Sequence, residues 1–256
     1  MKPSPNPSKL ILILIALTAA LQLAACSGKK IDESDPQELY KDAEEDITDK
    51  RYAMALDKLK ALKNKFPYSH LATQSKLRIA DVYFDEESFI EAAAAYESFR
   101  DMHPKHEKAD YVMFRIGESY FQQLPSGVDR DLGPATKAID SFRELIGLYP
   151  KSELVDTAKK HLSDATEKLA GKEKYIADFY FTREQYDSAA GRYEKMAARF
   201  PDTESEQYAY SRWAESLIKQ DKKDEARHVY RTYLTRYPSG AYAKQAGNWL
   251  DASGGR

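Results

Sequence analysis

With 39 lysines and arginines against 41 acids in 256 residues, the chain is long enough for one or two domains. It is too near neutral (formal −2) to grip nucleic acid, whose phosphates demand a basic stripe. A single cysteine excludes an internal disulfide and any cysteine-based metal site, and only 11 glycines and 11 prolines point to an all-α chain.

The first element is an export signal. Lys2 and Lys9 precede an apolar run from Leu10 to Ala25, interrupted by Thr18 and Gln22 and closed by small residues before Cys26. That run falls short of the ~20 residues of a membrane span. Leu23-Ala24-Ala25-Cys26 resembles the bacterial lipobox, in which cleavage precedes the cysteine, the thiol is diacylated and the new amine is acylated. Two acyl chains already anchor stably, so residues 1–25 are expected to be removed and Cys26 to tether the chain. Cleavage removes two basic residues and no acid, leaving a formal −4, so contact with the membrane is expected through the lipid alone. Residues 26–35 read as a lipidated polar linker, and the first helix is expected at Pro36. Ser27 replaces the aspartate that commonly retains lipoproteins in the inner membrane, which points to the periplasmic face of the outer membrane.

Beyond the linker, prolines recur after an aromatic or a histidine at Pro67, Pro104, Pro150, Pro201 and Pro238, with spacings of 37, 46, 51 and 37. Twenty-four residues before all but Pro150 stand Ala43, Ala80, Ala177 and Ala214. Twelve before each stand Ala55, Ala92, Ala138, Ala189 and Ala226, and eight before stand Leu59, Tyr96, Phe142, Tyr193 and Tyr230. Small residues let two helices cross closely, the aromatic fills the space beside them, and proline stops the second helix. This is the tetratricopeptide pattern. It predicts a right-handed superhelix of five tetratricopeptide helix pairs with a C-terminal capping helix, the tyrosines in these registers serving as core.

Three features depart from the repeat. The third repeat reaches its small residue, Gly117, nine positions early, which leaves an insert over 122–134 containing Pro125-Ser126-Gly127-Val128-Asp129-Arg130-Asp131. Such inserts map to one face, often the binding face. The gap after Pro150 is 14 residues longer than 37, nearly four helical turns. This predicts one long helix from Ser152 to Phe181, with Gly171 a tolerated weak point. It divides the chain into repeats 1–3 (36–150) and a second half (151–256) of long helix, repeats 4–5 and cap. Ala241 to Leu250 reads as the cap, with Trp249 and Leu250 closing the open end.

No catalytic constellation stands out: neither Gly-x-Ser-x-Gly, nor a phosphate-cradling glycine loop, nor His-Glu-x-x-His. His103, His106 and Glu107 sit at a repeat junction where solvated polar residues are ordinary. Asp129 and Asp131 lack the glycine and final glutamate of an EF-hand. Glu118-Ser119 matches the catalytic pair of lytic transglycosylases, yet lies within a repeat helix with no lysozyme-like domain beside it. The reading is a non-enzyme with no cofactor.

The chain as a whole resembles the BamD (ComL) family of outer-membrane assembly lipoproteins, which combine a lipobox with five tetratricopeptide repeats. The specific segments are Asp110-Tyr111-Val112-Met113, Gly127-Val128-Asp129-Arg130, Lys174-Tyr175 to Tyr180, Arg192, and Phe200-Pro201-Asp202-Thr203. The resemblance implies a scaffold of the β-barrel assembly machinery. Its C-terminal half would dock on the periplasmic domains of the BamA-type barrel subunit through Arg192, Asp129 and Arg130, and other assembly lipoproteins would join. Its N-terminal repeats would meet unfolded outer-membrane protein segments at Asn64 and Phe66, where phenylalanine replaces the family's tyrosine. Two other readings stay open. One is a periplasmic tetratricopeptide adaptor for cell-division or peptidoglycan machinery, although such adaptors bring a coiled coil and no lipobox. The other is a lipoprotein of macromolecule uptake, which the near-neutral charge disfavours for nucleic acid.

Overall fold

The structure, a computed structural model, describes residues 34–128 and 130–254; Cys26 with its signal, and Asp129, lie outside them. Every regular element among the described residues is an α-helix, and none is long and apolar enough to cross a membrane. Compactness divides the chain into two units that meet between Ala72 and Thr73, inside the second repeat.

The first unit holds α1 (Pro36–Thr48) and α2 (Tyr52–Lys65). Asp35 caps α1 by accepting the Gln37 amide at 2.8 Å, and Pro36 takes the first turn, where its missing N–H costs nothing. Ala43 and Ala55 are fully buried at the crossing, with Leu59 and Leu62 beside them. Asp46, only 1% exposed, is ion-paired with Arg51 at 2.7 Å and with Lys58.

From Thr73 on, the second unit carries most of α3 (His70–Asp85) with α4 (Phe89–Met102), α5 (Ala109–Gln122) with α6 (Gly133–Leu148), α7 (Val155–Thr182) with α8 (Tyr186–Arg199), and α9 (Glu204–Lys219) with α10 (Lys223–Arg236). The capping helix α11 (Ala243–Ala252) follows. The all-α repeat fold is as expected, and its registers are buried throughout. Ala80, Ala92, Ala138, Ala177, Ala189, Ala214 and Ala226 expose nothing, and Tyr96, Phe142, Tyr193 and Tyr230 expose at most 1%. Burying such rings contributes about 1.5–3 kcal/mol each. Gly117 is held small by Phe142, whose ring would lie 2.7 Å from an added Cβ.

The element edges differ locally from expectation. The long helix starts at Val155 rather than Ser152, because the Ser152 hydroxyl donates to Asp110 Oδ2 at 2.6 Å and accepts the Leu154 amide at 3.3 Å, holding a turn there. The insert is shorter than 122–134: Gln122 completes α5, and Gly133 and Pro134 open α6. The cap is displaced by two residues, with Leu250 buried and Trp249 against Tyr230 at 5.5 Å. Helix α7 serves two cores. Ala158 joins the cluster around Tyr96 and Phe142, whereas Ala170 and Ala177 join that of Tyr193 and Met196.

Candidate docking surfaces

Arg192 emerges from α8 with 39% of its side chain exposed. Its guanidinium lies 5.1 Å over the Tyr180 ring and 4.0 Å from Glu173, which Arg199 also approaches at 3.3 Å. A half-exposed arginine resting on an aromatic and held loosely by one carboxylate keeps donors free for a partner's acid. The preceding helix, α7, presents Tyr175 and Phe179, both exposed and one turn apart, with the Arg183 guanidinium 4.3 Å over Phe179. Aromatic and arginine side chains are the residues that anchor protein interfaces.

The insert rests on this helix. Lys168 Nζ donates to the Ser126 carbonyl at 3.4 Å and Lys172 Nζ to that of Arg130 at 3.2 Å. Between them Val128 sits 3.4 Å from where a Cβ of Gly171 would stand. Gly171, which the helix tolerates without a break, is also where the loop rests. Lys168, Gly171 and Lys172 are spaced to share one helix face, whereas Glu173, two residues on, points elsewhere. The structure thus sets Arg130 and Arg192 on different flanks of α7 instead of joining them in one patch. Asp131 is occupied locally, its Oδ1 accepting the Gly133 amide at 3.0 Å where α6 starts.

In the first unit Asn64 is exposed, while Phe66 is half-buried against the cluster of Leu39, Leu62 and Leu71. Phe66 is thereby engaged in packing, and its neighbour Tyr68 is the fully exposed aromatic of that turn. Elsewhere, His103 Nε2 lies 3.3 Å from Lys76 Nζ, and His106 Nδ1 accepts the Lys108 amide. Burial, followed by Lys76 and His106, depresses the His103 pKa. No group of three potential ligands that could hold a metal ion occurs among the described residues. Glu118 is tied to Arg115 at 2.9 Å.

One constellation escaped the sequence reading. Asp81 Oδ1 accepts from both Tyr96 (2.6 Å) and Tyr111 (2.8 Å), tying α3, α4 and α5 together. Arg115 bonds the Tyr96 hydroxyl at 3.0 Å, stacks 3.4 Å over Phe84 and pairs with Glu118. Ninety-seven residues later the cluster recurs: Asp178 Oδ1 accepts from Tyr193 (2.5 Å) and Tyr208 (2.7 Å), and Arg212 stacks 3.8 Å over Phe181 and pairs with Glu215 at 2.5 Å. Residues 81–123 and 178–220 are two copies of one module. Burial and the neighbouring carboxylate push the Tyr111 and Tyr208 hydroxyls up to about 12. The available signal was an acid directly after the small packing residue of each repeat's first helix: Glu44, Asp81, Glu118, Asp178 and Glu215.

Comparison with known proteins bears on the whole chain. The family described as "Outer membrane lipoprotein" (YfiO) matches residues 32–231. A Neisseria meningitidis serogroup B protein named outer membrane protein assembly factor BamD is 28% identical over 250 residues, covering 91% of this chain and 94% of its own. The protein of that name from Caulobacter vibrioides is 24% identical over 247 residues, covering 94% and 81%. Among solved structures, the TPR2AB domain of yeast Sti1 aligns at TM-score 0.41 with 15% identity, over 85% of this chain and 84% of that one.

Proposed function

We propose, since this chain belongs to the YfiO family of outer membrane lipoproteins, that it serves outer-membrane protein assembly as a non-enzymatic scaffold. The observation that carries this reading is the family match running through residues 32–231, that is, through four repeats and into the second helix of the fifth. As a BamD-family repeat protein it is an assembly factor of the outer membrane of Gram-negative bacteria. Lipid on Cys26 holds it at the periplasmic face. Residues 36–150 meet unfolded barrel segments, and residues 151–256 dock on the periplasmic domains of a BamA-type barrel subunit, with other assembly lipoproteins joining.

The chemistry available supports that division of labour. On α7 and α8, Arg192, Arg183, Tyr175 and Phe179 offer arginine forks and bare rings, the combination that gives an interface both area and orientation. Arg130, carried by the insert seated on Gly171, adds a second point on another flank of the same helix. A partner touching both would grip α7 from two sides. Substrate segments are unfolded strands whose backbone donors and acceptors need partners, and repeat helices with exposed polar residues such as Asn64 provide them.

Replacing Arg192 by glutamate reverses the charge at a half-exposed position without disturbing the core. Copurification of the barrel subunit is expected to fall at least tenfold while helical content stays unchanged. Normal copurification would remove Arg192 from the docking surface. Recruitment is tested separately: the protein is expected to bind barrel-strand peptides better than scrambled versions, and equal binding would remove that half of the function.

A further inference from the structure

The residue three positions before the acid of each repeat's first helix is basic in four repeats: Lys41, Arg78, Arg115 and Arg212. Residues three apart share a helix face, and the three arginines pair with their acids: Arg78 with Asp81 at 3.8 Å, Arg115 with Glu118 at 2.9 Å and Arg212 with Glu215 at 2.5 Å. In the fourth repeat the base is replaced by Tyr175, whose ring stands 60% exposed on α7. Its acid, Asp178, is half-buried and uses Oδ1 alone, to accept from the hydroxyls of Tyr193 and Tyr208. Among the described residues no cation pairs with Asp178, and no hydrogen bond reaches its Oδ2.

The neighbouring bases are engaged elsewhere. Lys174 Nζ lies 4.0 Å over the Tyr208 ring, and the Arg183 guanidinium 4.3 Å over Phe179. Arg212 stacks 3.8 Å over Phe181 while it pairs with Glu215. That last arrangement, a guanidinium held between a ring and a carboxylate, occurs again where Arg115 lies 3.4 Å over Phe84 and pairs with Glu118. At Tyr175 and Asp178 the ring and the carboxylate stand on one helix face, and the guanidinium is missing. A carboxylate with an unpaired oxygen beside a bare ring complements a cation. An anion would be repelled there, and an apolar group would desolvate the oxygen without pairing it. Arginine fits best, because its plane can stack on the ring while its fork donates to the acid.

We propose that Tyr175 and Asp178 form a site for one arginine side chain on the periplasmic domains of the BamA-type barrel subunit. The source of that arginine rests on the docking proposed above. The guanidinium lies over the Tyr175 ring and donates to Asp178 Oδ2, completing from outside the pair that Arg78 makes with Asp81 inside the chain. The site gives the docking face a polarity. Arg192 takes an acid from the partner and Asp178 offers an acid to it, so a partner has to present both signs in matching order, which selects against wrong partners.

The test gives the fourth repeat the base that the other repeats carry. Full-length lipoprotein in mild detergent is titrated with the purified, full-length barrel subunit, and circular-dichroism melts verify that each variant is folded. Tyr175→Arg answers Asp178 from within the chain and is expected to weaken binding at least tenfold. Tyr175→Glu removes the same ring but adds an acid for the partner's arginine, and is expected to bind at least tenfold more tightly than Tyr175→Arg. Two variants that bind alike, whether both weakly or both as wild type, overturn the site while docking stands, as does a glutamate variant weaker than the arginine one. Wild type that fails to bind the barrel subunit overturns the docking half of the proposed function and the site with it.

Discussion

Replacing Asp178 by alanine tests the clasp that binds the fourth repeat to the fifth. Its Oδ1 holds the hydroxyls of Tyr193, fully buried, at 2.5 Å and of Tyr208 at 2.7 Å. Truncation strands both hydroxyls without an acceptor. Hydrogen bonds to a charged group contribute about 1.5–3 kcal/mol each, and alanine returns about 0.5 kcal/mol in helix propensity. The net loss is about 3–5 kcal/mol. Asparagine retains an oxygen acceptor without the charge and is expected to cost about half as much, and Tyr208→Phe, which removes one bond, about 1.5 kcal/mol. At about 2–4 °C per kcal/mol for a chain of this size, Asp178→Ala lowers the circular-dichroism melting midpoint by about 10 °C. Asp81→Ala in the other copy, where Tyr96 and Tyr111 sit at 2.6 and 2.8 Å, is expected to match it. A loss under about 1 kcal/mol for Asp178→Ala, or a larger loss for Tyr208→Phe, would show that the clasp does not organise the module.

Other expectations follow from the same contacts. Gly117→Ala drives a Cβ to 2.7 Å from the Phe142 ring, so overpacking of about 1–3 kcal/mol outweighs the propensity gain; Gly147→Ala, with nothing within 4 Å, gains about 1 kcal/mol, and urea melts giving the two the same sign would refute the packing. Burial opposes ionisation of Asp46, but hydrogen bonds from Lys58 and Arg51 outweigh it and hold its pKa below the usual carboxylate value. The stability it supplies is therefore complete above about pH 4 and lost as pH falls through the depressed value. Asp46→Asn is expected to cost about 3 kcal/mol at pH 7, with the gap to wild type closing in acid, and a gap independent of pH would refute the pairing. For Tyr111 and Tyr208 the sign reverses. Their folded values are pushed up to about 12, so stability is full below about pH 10 and declines as pH rises toward 12. An alkaline titration in which tyrosine ionises at pH 10 without loss of structure would contradict their burial.

The repeat core was legible because its code is local and periodic. Counting back from a proline reaches Ala92 or Tyr96 with no knowledge of the neighbouring repeats, and these positions are buried. The long helix was legible for a similar reason, since added turns preserve a helix face, although its first turn was lost to the bond between Ser152 and Asp110, 42 residues away. Such distant partners mark where sequence reading stops. The contact of Gly171 with Val128 was not legible, because Val128 lies in a loop on another repeat. The aspartate clasps went unread because each joins three helices. Arg192 and Arg130 shared a role by resemblance, while their placement on separate flanks of α7 depends on how the insert folds back. Phe66 read as a contact residue, and its burial against Leu39, Leu62 and Leu71 brings together residues of three successive helices.

The assembly role is tested most directly by a mild-detergent pull-down of the C-terminally tagged protein from its own envelope, with mass spectrometry of what copurifies. The account predicts recovery of a large outer-membrane barrel that carries periplasmic domains, and its loss when Arg192 is glutamate. Recovery of cell-division or peptidoglycan proteins in its place would leave the repeats standing and contradict the function.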